Sequence, residues 1–358
     1  MKKYWIIFFT TLSITSSTIL LVRHHNNKAS VAQNDVALDT FLPESPATFQ
    51  LQKTGKQKKK GLTNIYTKVA IDSLKLPNVN SKFLTALEHQ MTLLKKADDK
   101  KVGDLEIEVD KMAQVVEIFR TSKSTEQLTA ALDAYQIQGD DGKGSVRFTG
   151  YYSPVISARR KADAVYKFPV YLVKNRSDEM TLAYVRDRGD IRSMCIEGVA
   201  YLQFPDGEKR LVAFDGDYRK VYETEEKNEN TDNPDEPKKI LAKYTSVMTT
   251  RTESKPMGAS KVPLTNDITV AVDNSYIPLG SVLLAEVPIV DEKGNLVRTE
   301  FRFVLAQDTG SQIQGTGHID LYMGEGDAAK ERIKNMNKFG RIWLLLPKEK
   351  PKTLAQNL

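Results

Sequence analysis

The chain has 358 residues, 40% hydrophobic and 27% charged, a balance that excludes a fully disordered chain, a collagen and a multi-spanning membrane protein. Its formal net charge of +6 would suit an anionic partner, but the surplus is local: residues 1–60 hold nine basic residues against Asp35, Asp39 and Glu44. Beyond residue 60, 43 basic and 43 acidic residues remain, so the body is neutral and offers no argument for nucleic acid as a partner.

The N-terminus comes first. Lys2 and Lys3 precede the 19 uncharged residues Tyr4–Val22, the pattern of an export leader. Two readings fit: residues 1–32 form a signal peptide cut near Ser30-Val31-Ala32, or residues 4–22 stay as a membrane anchor, since about 20 apolar residues span a bilayer. Both place the body outside the cytoplasm, in the periplasm of a two-membrane cell. No cysteine lies near the leader, which excludes a lipoprotein anchor. Residues 33–80 are polar and aperiodic and read as a tether.

Helical spacing starts at Ser81, with Phe83, Leu84, Leu87, Met91 and Leu94 on one face. A second helix is predicted through Leu105, Val109, Met112, Val116 and Phe119. A third, capped by Ser124, runs through Leu128, Leu132 and Tyr135. The glycine-rich segment 138–144 ends the helical region, and the period turns to two from Val146. Strands are predicted at Phe168–Val173, Val199–Phe204 and Arg210–Phe214, with a turn at Pro205-Asp-Gly207. Cys195, the single cysteine, flanked by Met194 and Ile196, reads as a small buried hydrophobe. Residues 223–239 are an acid-rich surface loop. Further strands fall at Ile268–Val272, Val282–Val287, Phe301–Ala306 and Arg341–Leu346, and a helix capped by Asp327 at 327–336.

Three aspartates recur beside these C-terminal strands, Asp273, Asp308 and Asp320. A carboxyl at a strand end is partly desolvated, and a second one nearby raises its pKa further. That is how a general acid stays protonated at neutral pH. The residues alone equally allow aspartates that cap turns beside glycines. His318 would lower the pKa of Asp320 if charged, or hold it by a hydrogen bond if neutral. The spacing of one histidine and three aspartates matches no known ligand motif, so neither metal nor cofactor is expected.

These residues also carry a resemblance. Phe148-Thr-Gly-Tyr-Tyr-Ser-Pro154 is similar to the Thr-Gly-Tyr-Tyr-x-Pro motif of the membrane-bound lytic murein transglycosylase A family. The blocks Val272-Asp273 with Pro278-Leu-Gly280, Ala306-Gln-Asp308-Thr-Gly310, His318-Ile-Asp320-Leu-Tyr-Met-Gly324 and Gly340-Arg-Ile-Trp343 resemble its three-aspartate domain. The resemblance spans roughly residues 80–346. It implies an α+β, mainly β protein: a double-psi β-barrel catalytic domain with N-terminal helices, from 81–155 plus 256–350, and a second small β-domain inserted at 156–255, with a groove between them. It implies cleavage of the MurNAc-β-1,4-GlcNAc bond of peptidoglycan with a 1,6-anhydromuramic product. Asp320 would be the catalytic acid and then base, with Asp308 beside it in the active site. Thr149, Tyr151, Tyr152, Tyr218, His318 and Tyr322 would contact the saccharide. The partners implied are glycan strands, with membrane association through the N-terminal segment, and a monomer is expected. Without the resemblance, Tyr151 and Tyr152 read as core aromatics.

The chain departs from the family in two places. Where the family has Gln-x-Gln-Gly-Ser-Gly, it reads Cys195-Ile-Glu197-Gly198-Val-Ala, and the acid-rich insert 223–239 replaces a helical segment. These departures allow an alternative reading, a wall-binding protein of the same fold with weakened turnover.

Overall fold

The computed structural model describes residues 64–173, 179–214, 248–250 and 255–349. The leader, most of the tether, the acid-rich insert and Tyr218 lie outside the described residues. In chain order the elements are β1 (Tyr66–Val69), α1 (Ser81–Leu94), β2 (Lys100–Val102), β3 (Leu105–Ile107), α2 (Val109–Thr121), α3 (Thr125–Ala131), β4 (Leu132–Ile137) and β5 (Val146–Ser153). Next come β6 (Val155–Ser157), β7 (Phe168–Val173), β8 (Glu179–Val185), α4 (Arg188–Glu197), β9 (Val199–Gln203), β10 (Lys209–Phe214) and β11 (Met248–Thr250). The chain closes with β12 (Thr269–Ala271), β13 (Val282–Val290), β14 (Leu296–Asp308), β15 (His318–Glu325), α5 (Gly326–Ile333) and β16 (Lys338–Pro347).

Mainly β content with few helices is what the strand-rich pattern implies. Among the described residues, the larger sheet has the order β1-β4-β16-β13-β14-β12-β15-β5, and β5 also pairs with β16. Six strands, from β16 round to β5, therefore form a closed hydrogen-bonded ring, which removes free edges. The closing seam pairs Phe148 with Lys338 and Val146 with Gly340. A Cβ on Gly340 would stand 2.2 Å from the Glu286 carbonyl oxygen and 2.9 Å from the Phe148 ring. Only glycine lets three strands approach this closely.

Helices α1 and α2 cover one side. Phe83, Phe119 and Phe303 meet with centroids 4.8–5.7 Å apart, which ties both helices to β14. A buried polar chain does the same: Gln307 donates to the Ala86 carbonyl and to Gln90 Oε1, and accepts from Thr269 at 2.6 Å. Because side chains alternate along a strand, Gln307 anchors the end of β14 in the core while Asp308 faces the other way.

The second sheet has the order β6-β9-β10-β11-β7-β8 and its own core. Helix α4 packs on it through Ile191, Met194 and Cys195, all buried. Its start is capped by Asp187, which accepts from the Asp190 amide at 2.9 Å, and Gly198 ends it at φ 76°.

Several elements differ from expectation. Residues 64–80 of the tether are folded: β1 pairs with β4, and the Tyr66 hydroxyl donates to the Tyr276 carbonyl at 2.8 Å. The second helix starts at Val109, because Gly103 at φ 62° turns the chain and puts Leu105 in a hairpin. The third stops at Ala131, and Leu132–Ile137 becomes a strand between β1 and β16. The last helix begins one residue early, with Glu325 as N-cap and Asp327 in the first turn. Among the described residues no helix is long and apolar enough to cross a membrane.

Candidate active site

Strand β5 organises the site. It pairs in parallel with β15, setting His318 beside Arg147, Asp320 beside Thr149 and Tyr322 beside Tyr151. The period of two then puts Arg147, Thr149 and Tyr151 on one face. Strand β12 lies between β14 and β15, and Ala271 is the register partner of both Asp308 and Asp320. The two aspartates thus flank one small residue, their backbones each a strand spacing of about 4.8 Å from it.

Asp308 is fixed by three donors. Its Oδ1 accepts from the Ala259 and Thr309 amides at 2.6 and 2.8 Å, and its Oδ2 accepts from the Tyr151 hydroxyl at 2.9 Å. Burial and the Asp308 charge hold the Tyr151 phenol well above its ordinary pKa, so it remains the donor.

Asp320 is held differently. Burial pushes its pKa up to about 6, the Asp308 charge adds to the rise, and the Thr149 hydrogen bond and Arg147 oppose it. The Thr149 hydroxyl lies 2.8 Å from Asp320 Oδ1 and 2.8 Å from His318 Nε2. Arg147 Nη2 lies 3.0 Å from His318 Nδ1. Burial first, and then the Arg147 charge, lower the His318 pKa to about 4 against an opposing hydrogen bond to the Gln312 backbone, so the ring is neutral at neutral pH. A guanidinium only donates, which fixes the tautomer. Arg147 donates to Nδ1, Nε2–H donates to Thr149, and Thr149 donates to Asp320 Oδ1. Asp320 Oδ1 is thereby tied, and Oδ2, which accepts no hydrogen bond among the described residues, is left to carry a mobile proton. Of the two roles open to His318 from sequence, the neutral one fits, and it acts through Thr149.

The loop 309–317 between the two aspartates is pinned at its far end. Asp273 Oδ2 accepts from the Gly315 amide at 2.8 Å, and Asp140 Oδ1 from the Gly317 amide at 3.1 Å. Asp273 therefore shapes a turn.

Of the residues expected to contact a saccharide, Thr149, Tyr151 and His318 gather around Asp320 and Asp308. Tyr152 and Tyr322 are 5% and 2% exposed, so neither presents its ring to solvent. Tyr322 donates to or accepts from Ser153 at 3.0 Å and packs its ring 5.2 Å from Tyr151. Tyr152 sits in the main core. Tyr218 lies outside the described residues. Sequence reasoning missed Arg147, although its spacing of two from Thr149 places it on their face. Among the described residues no group of three or more His, Cys, Asp or Glu could hold a metal ion.

Comparison with known proteins follows the same outline. The family model for the 3D domain matches residues 268–346. The chain is 32% identical to membrane-bound lytic murein transglycosylase A of Escherichia coli K12 over 253 residues, covering 60% of this chain and 69% of that one. It is 28% identical to a homologue in Buchnera aphidicola, covering 81% and 89%. The crystal structure of E. coli MltA with bound chitohexaose aligns with a TM-score of 0.62 at 27% identity, covering 82% of this chain and 98% of that one.

Proposed function

Since the chain belongs to the membrane-bound lytic murein transglycosylase A family, and is on that basis a lytic transglycosylase acting on peptidoglycan, we propose how this chain carries out the cleavage. The substrate bond is the β-1,4 link between N-acetylmuramic acid and N-acetylglucosamine. The observation that carries the mechanism is the unequal treatment of the two carboxyls: Asp308 accepts from three donors, whereas Asp320 is desolvated and, among the described residues, accepts a hydrogen bond on Oδ1 alone.

Asp320 Oδ2–H protonates the glycosidic oxygen as its bond to the muramyl C1 breaks. The Asp320 carboxylate then takes the proton of the muramyl C6 hydroxyl as O6 bonds to C1, closing the 1,6-anhydro ring. No water is consumed, and Asp320 returns to its protonated form. Most glycosidases need two carboxyls, one for the acid step and one for the nucleophile or its base. Here the substrate brings the nucleophile, so one carboxyl serves both steps and Asp308 acts as a fixed charge that keeps the Asp320 proton in place. Thr149, Tyr151 and His318 border the reacting centre.

We read the closed six-stranded ring as the expected double-psi barrel, and residues 156–255 as a domain inserted into it, supported by the separate core of the second sheet. The family's name supports a membrane-bound enzyme of the cell envelope, and the leader Tyr4–Val22 supplies a segment suited to that.

The test is product analysis. Peptidoglycan sacculi incubated with the protein should release anhydromuropeptides, lighter by one water than reducing-end fragments in mass spectrometry. Asp320→Ala should abolish them. Reducing-end products, or binding without release, would overturn the reading.

A further inference from the structure

A third carboxyl lies against β5, and it comes from the helix packed on the other sheet. Glu197 is the last residue of α4, the helix packed on β8, β9, β10 and β5. Its Oε2 accepts from the Tyr152 amide at 3.2 Å, on the strand that carries Thr149 and Tyr151. Beside it, Tyr152 Oη and Ser193 Oγ lie 3.3 Å apart, a second link from α4 to β5. Three successive contacts along one strand therefore hold three carboxyls: Thr149 holds Asp320, Tyr151 holds Asp308, and the Tyr152 amide holds Glu197.

We propose that Glu197 is a substrate-positioning residue of the active site: pinned through Oε2, it keeps a protonated Oε1–H as a hydrogen-bond donor for a saccharide hydroxyl next to Asp320. This rests on Asp320 being the catalytic group. The surroundings favour the neutral acid. Burial, opposed by the Tyr152 amide and helped by the Asp320 charge, raises the Glu197 pKa to about 8. Its position at a helix C-terminus also disfavours an anion. Among the described residues, the other groups facing this centre are Tyr322, on which the Glu197 charge acts, with Asp308, Arg147 and His318 acting on or through Asp320. Among the described residues, no cation of β5, β8, β9 or β10 is among the groups acting on Glu197. A protonated carboxyl and a carboxamide share shape, one donor and one acceptor. A glutamine in its place would keep the donor at every pH, whereas Glu197 loses it when it ionises.

Chitohexaose, which has no titrating group, is the probe. The Asp320→Asn background removes both turnover and the titration of Asp320. In the full-length Asp320→Asn protein, chitohexaose affinity measured by calorimetry should fall about tenfold between about pH 6 and about pH 10, as the donor is lost and a charge appears. In Asp320→Asn/Glu197→Gln it should stay level over that range. In Asp320→Asn/Glu197→Ala it should be weak throughout. An equal fall in the glutamine double variant, no fall in the Asp320→Asn protein, or no binding at any pH would each overturn the proposal. Failure of the general-acid reading is read separately, in the absence of anhydro product from the unmodified protein.

Discussion

At the scale of single residues, the site works by giving two aspartates opposite surroundings. Asp308 is fully paired, whereas Asp320 is desolvated, has one oxygen tied to Thr149 and titrates at about 6. As the proposed general acid it must be protonated, so kcat/KM should fall as pH rises through that value. Thr149 stabilises the ionised form, so its removal moves the limb in a defined direction. In Thr149→Val the Asp320 pKa rises and the alkaline limb shifts to higher pH. At the same time Oδ1 is left unpaired and the tautomer relay from Arg147 through His318 is cut, which should lower kcat about tenfold. A pH–rate profile on sacculi checks both; a limb that stays in place or moves down would contradict the relay. Much of this centre was legible in the sequence, because Asp308, Asp320, Thr149, Tyr151 and His318 fall in short motifs. The roles of Arg147 and Glu197 were not, since each depends on a partner 171 or 45 positions away, which no local pattern encodes.

At the scale of elements, the site depends on where β5 is held. It pairs with β15 on one side and with β16 on the other, and Gly150 lets α5 lie over it: a Cβ there would meet Ile333 at 2.7 Å. The seam with β16 is tighter still. Gly340→Ala would drive a methyl into the Glu286 carbonyl and the Phe148 ring, so the seam must open or the strands must shift. A loss of about 3 kcal/mol is expected, the upper end for overpacking, seen as a lower denaturation midpoint in urea with the slope unchanged. Near-normal stability would mean the ring closes less tightly than the register indicates. Helices α1 and α2 were readable because a 3.6 period needs only their own apolar residues. The boundary at Ala131 was not: Leu132 and Tyr135 fit helical spacing, yet Leu132–Ile137 pairs with strands at 66–69 and 338–347, and tertiary pairing overrides a weak local preference. Helix α4 went unread because only Ile191, Met194 and Cys195 of its ten residues are buried.

At the scale of the whole body, two sheets with separate cores are joined along the strands that hold the candidate site. Chain connection alone would leave the second sheet free to shift, because β5 runs into β6 through only Pro154. Side chains from five elements tighten the junction. Glu197 and Ser193 reach Tyr152, and Glu325, at the end of β15, accepts from Tyr201 at 3.1 Å and pairs with Lys209 at 2.9 Å. The Lys209 ammonium also lies 3.9 Å from the Tyr201 ring centroid. The Lys209–Glu325 pair is more than a third exposed on both sides, so the ion pair itself adds little to global stability. Its effect is expected in local order, since opening free energies differ between parts of a fold. In Glu325→Ala the melting temperature should therefore change little, while backbone amides of β9 and β10 exchange faster with solvent and those of β13 and β14 keep their protection. Turnover on sacculi should fall with this loosening, because Glu197 is held against the Tyr152 amide of β5 only while α4 stays docked there. Faster exchange spread evenly through both sheets would instead show that the body opens as one cooperative unit, with Glu325 as an ordinary contributor to its stability.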